Sequence, residues 1–211
     1  MSLLGIDIGT GGTSVVLAEL AGNRVRTHTY LDRLTDIHLA DLKKYLSTVG
    51  ESLDLIGFGD DLDMQTDPQI SLAAYREIFK PRHATLWNAA KKLCPGIQVS
   101  LQCVVVVYPL LCDISEAGLY TINLVQFTCT DMKLACLKRE FGLYFTFWGG
   151  GCDTRSVLVQ GTPEEVSRHL TENVRIMAKG GGFVFQQVHN ILADVPPQNI
   201  FAMFEVVRAA V

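Results

Sequence analysis

The stretch Phe145-Thr-Phe-Trp-Gly-Gly-Gly-Cys-Asp153 decides the fold prediction, because an apolar strand ends there in three successive glycines. Aromatic and β-branched residues favour a buried strand, and glycine lets the backbone turn sharply or approach a ligand. Thr162, Pro163 and Glu165 follow at capping-box spacing, which indicates the start of a helix. The pattern predicts a strand, a loop on the ligand-binding face of a parallel α/β protein, and a helix. Alternatively, the glycines only turn the chain and Cys152 is a small buried apolar residue.

Composition excludes several classes of protein. Of the 211 residues, 48% are apolar and 19% are charged, and the net charge of −4 leaves no basic surface for nucleic acid. No run of about 18 apolar residues is present, and Asp7 interrupts the apolar start where a signal peptide would continue. The six cysteines lack both zinc-finger spacing and the density of a disulfide scaffold. We therefore expect a cytoplasmic protein with reduced thiols that binds neither nucleic acid nor a membrane.

Downstream of residue 50, near-continuous apolar strands alternate with helices, which predicts a parallel sheet covered on both faces. The expected fold is α/β: a partial (β/α)8 TIM-type barrel of about five parallel βα units with an extra N-terminal β-hairpin. A complete barrel needs eight units and roughly 250 residues. Polar or thiol side chains follow each strand: Asp60 and Asp61, Cys103, Gln126, Cys152 and Asp153, and His189 and Asn190. Strand ends of this kind form the active-site face of a barrel.

The N-terminal stretch differs from the rest of the chain. Two apolar segments between Leu3 and Leu20 flank a glycine-rich turn, a pattern that predicts a hairpin. This hairpin resembles the first one of carbohydrate kinases of the xylulose/glycerol type, although no second phosphate loop follows. We therefore expect three segments: a glycine-rich, kinase-like hairpin over 1–25, a linker and helix over 26–49, and the partial barrel over 50–211.

Several motifs occur in order after residue 50. They are Phe147–Arg155, Gly161–Val166, Gly180–Phe185, Val188–Ile191 and Val195–Ile200. Together they resemble the C-terminal half of the uroporphyrinogen decarboxylase family, which includes decarboxylases of porphyrin biosynthesis (lyases) and corrinoid-dependent methyltransferases. The Trp-Gly-Gly-Gly-Cys-Asp loop resembles the methyltransferase-like members more closely. The resemblance implies a tetrapyrrole or corrinoid ligand, with zinc and a corrinoid as the cofactors of a methyltransferase.

The resemblance also implies roles for the residues at the strand ends. The expected catalytic residues are Asp61, Asp153 and His189, and their side chains are expected to share one mouth of the sheet. The expected substrate-binding residues are Asp60, Gln126, Gly149, Gly150, Gly151, Cys152 and Asn190. The remaining histidines are expected to lie away from strand ends, without a role in the site: His28, His38, His83 and His169.

One part of the family pattern is incomplete. Its methyltransferases carry a His-x-Cys-Gly motif that binds zinc, and Cys103 occupies the cysteine position here. Leu101 stands in the histidine position and Val104 in the glycine position. Because zinc needs further ligands, we expect Cys103 to be a metal ligand of an incomplete site. The early barrel strands of the family, which bring an arginine-rich segment and an aspartate, have no counterpart before residue 50.

Two classes of function follow from these observations. The first is tetrapyrrole- or corrinoid-linked catalysis, either uroporphyrinogen decarboxylation or cobalamin-dependent methyl transfer, with methyl transfer slightly favoured by the glycine–cysteine loop. The second is a truncated or fused non-catalytic remnant that needs a partner chain or a homodimer to fold. Open strand edges favour an oligomer, because an unpaired edge invites pairing with another chain.

Overall fold

The structure, a computed structural model, describes residues 3–7, 22–60, 70–103, 108–129 and 132–210. The chain divides into two compact units, which are described separately. The first comprises Met1–Leu62, Gln69–Cys103 and Pro109–Tyr120, and the second comprises Asp63–Pro68, Val104–Tyr108 and Thr121–Val211. Within the described ranges, no helix is long and apolar enough to span a membrane.

The elements alternate between strands and helices along the chain. The strands are β1 (Leu3–Asp7), β2 (Leu55–Gly59), β3 (Gln98–Gln102), β4 (Thr121–Val125), β5 (Thr146–Gly149) and β6 (Phe183–Val184). The α-helices are α1 (Arg24–Val49), α2 (Leu72–Ala74), α3 (Lys80–Leu93), α4 (Leu111–Glu116), α5 (Leu134–Phe141), α6 (Val157–Gln160), α7 (Pro163–Met177) and α8 (Pro197–Ala209). A π-helical turn, Tyr75–Phe79, joins α2 to α3, and short 3-10 turns cover Gly50–Ser52 and Tyr108–Leu110.

The first unit is built on three parallel strands. Strand β1 pairs with β2 from Leu3 opposite Leu55 to Asp7 opposite Gly59, and β2 pairs with β3 up to Gly59 opposite Gln102. Helix α1 packs on α3, and Leu42 of α1 is almost fully buried. Polar residues that follow β2 and β3 therefore lie at the same edge of this sheet.

The second unit repeats the arrangement with β4, β5 and β6. Strand β5 pairs in parallel with β4 on one side and with β6 on the other. Helices α7 and α8 pack together over an apolar cluster. Its fully buried members are Cys152, Leu158, Val166, Leu170 and Met203. The capping box predicted at Thr162 and Glu165 is present, and Pro163 opens α7 as expected.

The α/β fold with parallel βα units is confirmed, and the N-terminal stretch adds to it. Strand β1, the first half of the expected hairpin, pairs in parallel with β2. Residues 8–21, which contain the second half, lie outside the described residues, so the hairpin and the three-segment division stay predictions. Helix α1 begins at Arg24, where Asn23 caps it, and only Thr27 and Leu31 are buried in its first half. Apolar periodicity could not reveal this first half.

Candidate active site

A chain of three hydrogen-bonded side chains lies at the carboxyl end of β2 in the first unit. Asp60 directly follows β2, and its Oδ2 atom lies 3.0 Å from Nε2 of His83. On the other side of the imidazole ring, Nδ1 lies 3.2 Å from the hydroxyl oxygen of Tyr75. A carboxylate, an imidazole and a phenol joined in this order can hold or transfer a proton. We therefore identify Asp60, His83 and Tyr75 as the candidate active site.

Burial encloses all three side chains. Tyr75 is fully buried, and the His83 and Asp60 side chains are 5% and 11% exposed. The Trp87 ring stacks on the His83 ring at 4.8 Å between centroids and 21° between planes, which fixes the plane of the imidazole. Oδ2 of Asp60 is thus held against a ring of fixed orientation.

The buried tyrosine is held in its protonated form. Burial raises the pKa of Tyr75 well above its usual range, and the negative charges of Asp113, Asp60 and Cys103 raise it further. A phenol in such surroundings keeps its proton because the anion would lie unsolvated beside other negative groups. The Tyr75 hydroxyl is therefore a hydrogen-bond donor at physiological pH.

The local sequence explains the helix that carries Tyr75 and His83. Ser71 caps α2 by accepting a hydrogen bond from the backbone N–H of Ala74 at 3.1 Å. Pro81 has no N–H to donate, and its ring would clash with the carbonyl four residues before it in a regular α-helix. The chain widens there into the π turn, in which the N–H of Lys80 donates to the carbonyl of Tyr75. The helix continues through Pro81 to Leu93.

A buried carboxylate anchors the π turn to helix α4. Nε of Arg76 lies 3.0 Å from both carboxylate oxygens of Asp113, and Nζ of Lys80 lies 2.7 Å from Oδ1. Burial alone would raise the pKa of Asp113, but the hydrogen bonds from Arg76 and Lys80 outweigh it and lower the pKa. Lys80 also donates to Glu116 at 2.5 Å. These contacts hold the turn that presents Tyr75 to His83.

In the second unit, Asp153 closes the glycine loop. Its Oδ1 accepts hydrogen bonds from the backbone N–H groups of Arg155 at 2.8 Å and of Ser156 at 3.4 Å. Its Oδ2 accepts from the Ser156 hydroxyl at 2.5 Å, and the residue is 8% exposed. In this structure both oxygens of Asp153 hold the loop, and its expected catalytic role stays a prediction.

The three glycines of this loop are required by the packing of the chain on itself. A Cβ atom at Gly151 would lie 2.4 Å from the Phe185 ring and 2.7 Å from the backbone oxygen of Gln186. A Cβ at Gly149 would lie 2.7 Å from the backbone nitrogen of Val125. Gly149 and Gly150 also have positive φ angles, which favour glycine. The expected contact of this backbone with a flat ligand stays a prediction.

Cys152 lies inside the second unit. Its side chain is 0% exposed within the apolar cluster between α6, α7 and α8. Burial, followed by the charge of Asp153, raises the pKa of the thiol to about 12. The thiol is therefore protonated and enclosed by apolar side chains in this structure, as in the alternative interpretation of the motif.

The other expected residues of the second unit differ in exposure. Val188 donates its backbone N–H to the carbonyl of Cys152 at 2.9 Å, so His189 follows β6 beside the loop that contains Asp153. His189 and Asn190 are exposed, whereas Gln126 is buried and its Nε2 lies 3.4 Å from the Thr128 hydroxyl. Asp61 lies outside the described residues. The shared mouth of Asp61, Asp153 and His189 thus stays a prediction.

The surroundings of Cys103 do not fit a zinc ion. Cys103 follows β3 and is 1% exposed, and Leu101, which stands in the position of the family's histidine ligand, is equally buried. No group of three or more His, Cys, Asp or Glu side chains in the described part of the chain is placed to bind a metal. Without further ligands, one thiolate does not form a zinc site.

Two histidines contact residues at strand ends, although both were expected to have no role in the site. His83 bonds Asp60 in the first unit. In the second, Nε2 of His169 lies 3.1 Å from the Asn173 side-chain nitrogen and 3.4 Å from the backbone nitrogen of Asp153, and burial lowers the pKa of His169. One feature of the sequence could have identified His83 as a site residue. It lies two residues after Pro81, on the helix that follows a strand ending in an aspartate. Helix position alone had suggested that it was remote from the site.

Parallel βα units with an acid–histidine pair at a strand end define a class of α/β barrel-type protein. The family model described as uroporphyrinogen decarboxylase (URO-D) matches residues 6–210. The chain belongs to the uroporphyrinogen decarboxylase family, and the sequence resemblance is confirmed. The match begins within β1, so it includes most of the N-terminal stretch that was expected to be foreign.

One solved structure adds a second comparison. A methyltransferase from Methanosarcina mazei superimposes with a TM-score of 0.70 and 14% sequence identity, over 94% of this chain and 53% of that chain. The chain therefore spans about half the length of this structural relative and shares its fold. No match is found among curated proteins.

Proposed function

We propose that this chain takes part in corrinoid-linked methyl transfer and that Asp60 accepts the proton of the methyl-accepting thiol. The observation that carries the proposal is the geometry of the Asp60 carboxylate at the end of β2. One of its oxygens is bonded to His83, whose ring is in turn bonded to the Tyr75 hydroxyl. A carboxylate held in one orientation at a strand end by such a chain suits a general base.

The proposed reaction is the methylation of a thiol by a methyl corrinoid that acts as the methyl donor. The S–H bond of the thiol breaks and its proton passes to Asp60. A methyl corrinoid bound at the site would supply the methyl group to the resulting thiolate and would keep the electron pair of the carbon–cobalt bond, while Asp60 would hold the thiol proton. Because a thiolate is far more nucleophilic than a thiol, proton removal is the step in which these residues would assist.

A base is proposed because the described residues do not supply the ligands for the family's other route to a thiolate. In the methyltransferases that the sequence resembles, zinc activates the thiol, but no group of three or more metal-binding side chains occurs in the described part of the chain. Asp60 also lies next to Cys103 in the sheet, since its N–H donates to the carbonyl of Gln102 at 3.1 Å. The proposed base thus occupies the same sheet edge as the incomplete metal site.

Uroporphyrinogen decarboxylation is the second candidate, favoured by the description of the matching family model. In that reaction an acetate side chain loses carbon dioxide, and a proton takes its place on the carbon. The Asp60–His83 pair would then donate a proton instead of accepting one. The same residues thus serve either reaction, and only the substrate distinguishes them.

The test is an anaerobic assay of the purified chain with each substrate. Methylcobalamin and a small thiol should give the methyl thioether together with the absorbance change of demethylated corrinoid. With uroporphyrinogen as the substrate, we expect no decarboxylation, and therefore no porphyrin product with fewer carboxylates. The reverse pattern would overturn methyl transfer in favour of decarboxylation. If the chain catalyses neither reaction and binds no corrinoid in equilibrium dialysis, the result would indicate the non-catalytic remnant.

A further inference from the structure

We propose that Tyr75 is a positioning residue that holds His83 as the Nε2–H tautomer, and that the π turn exists to bring the two side chains together. The inference rests on the proposed function, since it concerns how Asp60 is presented to a substrate. It adds a residue that the sequence analysis did not single out. It also gives a role to the wide turn at Tyr75–Phe79, which Pro81 causes locally.

The hydrogen-bond chain has only one consistent direction while His83 is neutral. The Asp60 carboxylate can only accept a hydrogen bond, so Nε2 of His83, 3.0 Å from Oδ2, donates and carries the ring proton. Nδ1 then carries the lone pair and accepts from the Tyr75 hydroxyl, which lies 3.2 Å away and keeps its proton. Asp60 and Tyr75, on the two sides of the ring, together select one of the two imidazole tautomers.

The other tautomer would oppose the site. With the proton on Nδ1, the lone pair of Nε2 would face a carboxylate oxygen at 3.0 Å, and the repulsion would turn Asp60 away. The Tyr75 hydroxyl would also lose its acceptor in a fully buried place, which costs free energy. Tyr75 thus protects the orientation in which Oδ2 of Asp60 is bonded to His83.

The π turn makes this contact geometrically feasible. Tyr75 and His83 are eight residues apart, which in a regular α-helix of 3.6 residues per turn places them about 80° apart around the axis. The wider i→i+5 turn at Tyr75–Phe79 reduces the rotation per residue and brings both side chains to the same face. The Trp87 ring then covers the imidazole from the next turn of α3. Such single π turns are frequent at functional sites.

Nitrogen-15 NMR of histidine-labelled protein tests the tautomer directly, with the His83→Gln variant used to assign the signal. In the wild type we expect the proton of neutral His83 on Nε2. In Tyr75→Phe, which keeps the ring and removes the hydroxyl, we expect a mixture of both tautomers. Tyr45→Phe, at an exposed tyrosine of α1, is the matched control and should leave the spectrum unchanged. A wild-type proton on Nδ1, or an unchanged tautomer in Tyr75→Phe, would overturn the proposal.

Kinetics separate this inference from the function on which it rests. Tyr75→Phe should lower kcat of methyl transfer about five- to tenfold, the usual effect of one hydrogen bond, while KM for the corrinoid stays unchanged. An altered tautomer with no methyl transfer in the wild type would refute the proposed function and leave the positioning role standing. Normal kcat in a variant with mixed tautomers would refute the role of Tyr75.

Discussion

At the residue scale, the same residue type serves different purposes at different strand ends. Asp60 is bonded through Oδ2 to the His83 ring of a later helix, whereas both oxygens of Asp153 are bonded to the loop that follows it. The sequence shows an aspartate at both places and a strand before each. It does not show which carboxylate finds internal donors, because this depends on the backbone of Arg155 and Ser156. Sequence reasoning therefore named both residues but ranked Asp153 above Asp60.

Replacing Asp153 should destabilise the fold. Asp153→Ala removes the acceptor of two backbone N–H groups and a hydroxyl at a nearly buried site, and we expect a loss of about 2 kcal/mol in the free energy of unfolding. Urea denaturation followed by circular dichroism measures it. Asp194→Ala, at an exposed aspartate, is the control and should change little. Equal stabilities of the two variants would show that the cap contributes nothing.

Gly151 should tolerate no side chain. The Cβ of Gly151→Ala would meet the Phe185 ring at 2.4 Å and a backbone oxygen at 2.7 Å, so we expect a loss of about 2–3 kcal/mol from overpacking. Gly22→Ala is the matched control, because a Cβ there meets nothing within 4 Å. The measurement is the midpoint of thermal unfolding. If Gly151→Ala unfolded at the same midpoint temperature as the control, the loop would have to open readily to accept the side chain.

At the element scale, the sequence predicts well where capping and apolar periodicity agree. Thr162 and Pro163 mark the start of α7 with the correct residue. Apolar periodicity does not reveal the start of α1, because its first turns bury few apolar side chains. Pro81 does not reveal the π turn, because proline chemistry predicts a disturbance of the helix but not its form. Tertiary contacts decide what the sequence leaves open. The Asp60–His83 contact is of this kind, since it joins a strand end to a helix 23 residues later.

The ion pairs of Asp113 should make stability depend on pH in the acid range. The pKa of Asp113 is lowered in the folded state, so its contribution is present above the pKa of an unfolded aspartate, about 4, and is lost as the pH falls through the folded value. We expect Asp113→Asn to be less stable than the wild type at pH 7 and this difference to shrink below about pH 4. Urea midpoints across this range measure it. A difference independent of pH would contradict the assignment.

At the scale of the whole molecule, the family was predictable because several short motifs recur in order. The activity was not, because the family hosts more than one reaction on one fold. The structural relative shares only the fold at 14% identity, and this chain spans 53% of its length. The finer choice between the two reactions is a proposal, which rests on the contact of Asp60 with His83.

The assembly state is a separate prediction. Strand β6 has only two residues and, within the described part of the chain, pairs with β5 alone, which leaves an edge open to another strand. We propose that the chain forms a homodimer or binds a partner chain. Multi-angle light scattering of the purified chain should give twice the monomer mass of 23.2 kDa. A monomer that melts cooperatively at all concentrations would contradict this.

The initial rate of methyl transfer from methylcobalamin to a thiol in Asp60→Asn tests the central claim most directly. The amide of this variant would keep a hydrogen-bond acceptor for His83 but could not take up the thiol proton, so we expect a loss of about 10²-fold or more, within the usual range for a general base. Asp41→Asn, at an exposed aspartate of α1, should retain the wild-type rate. A folded Asp60→Asn protein with the wild-type rate would contradict the account, because the proton would then go elsewhere.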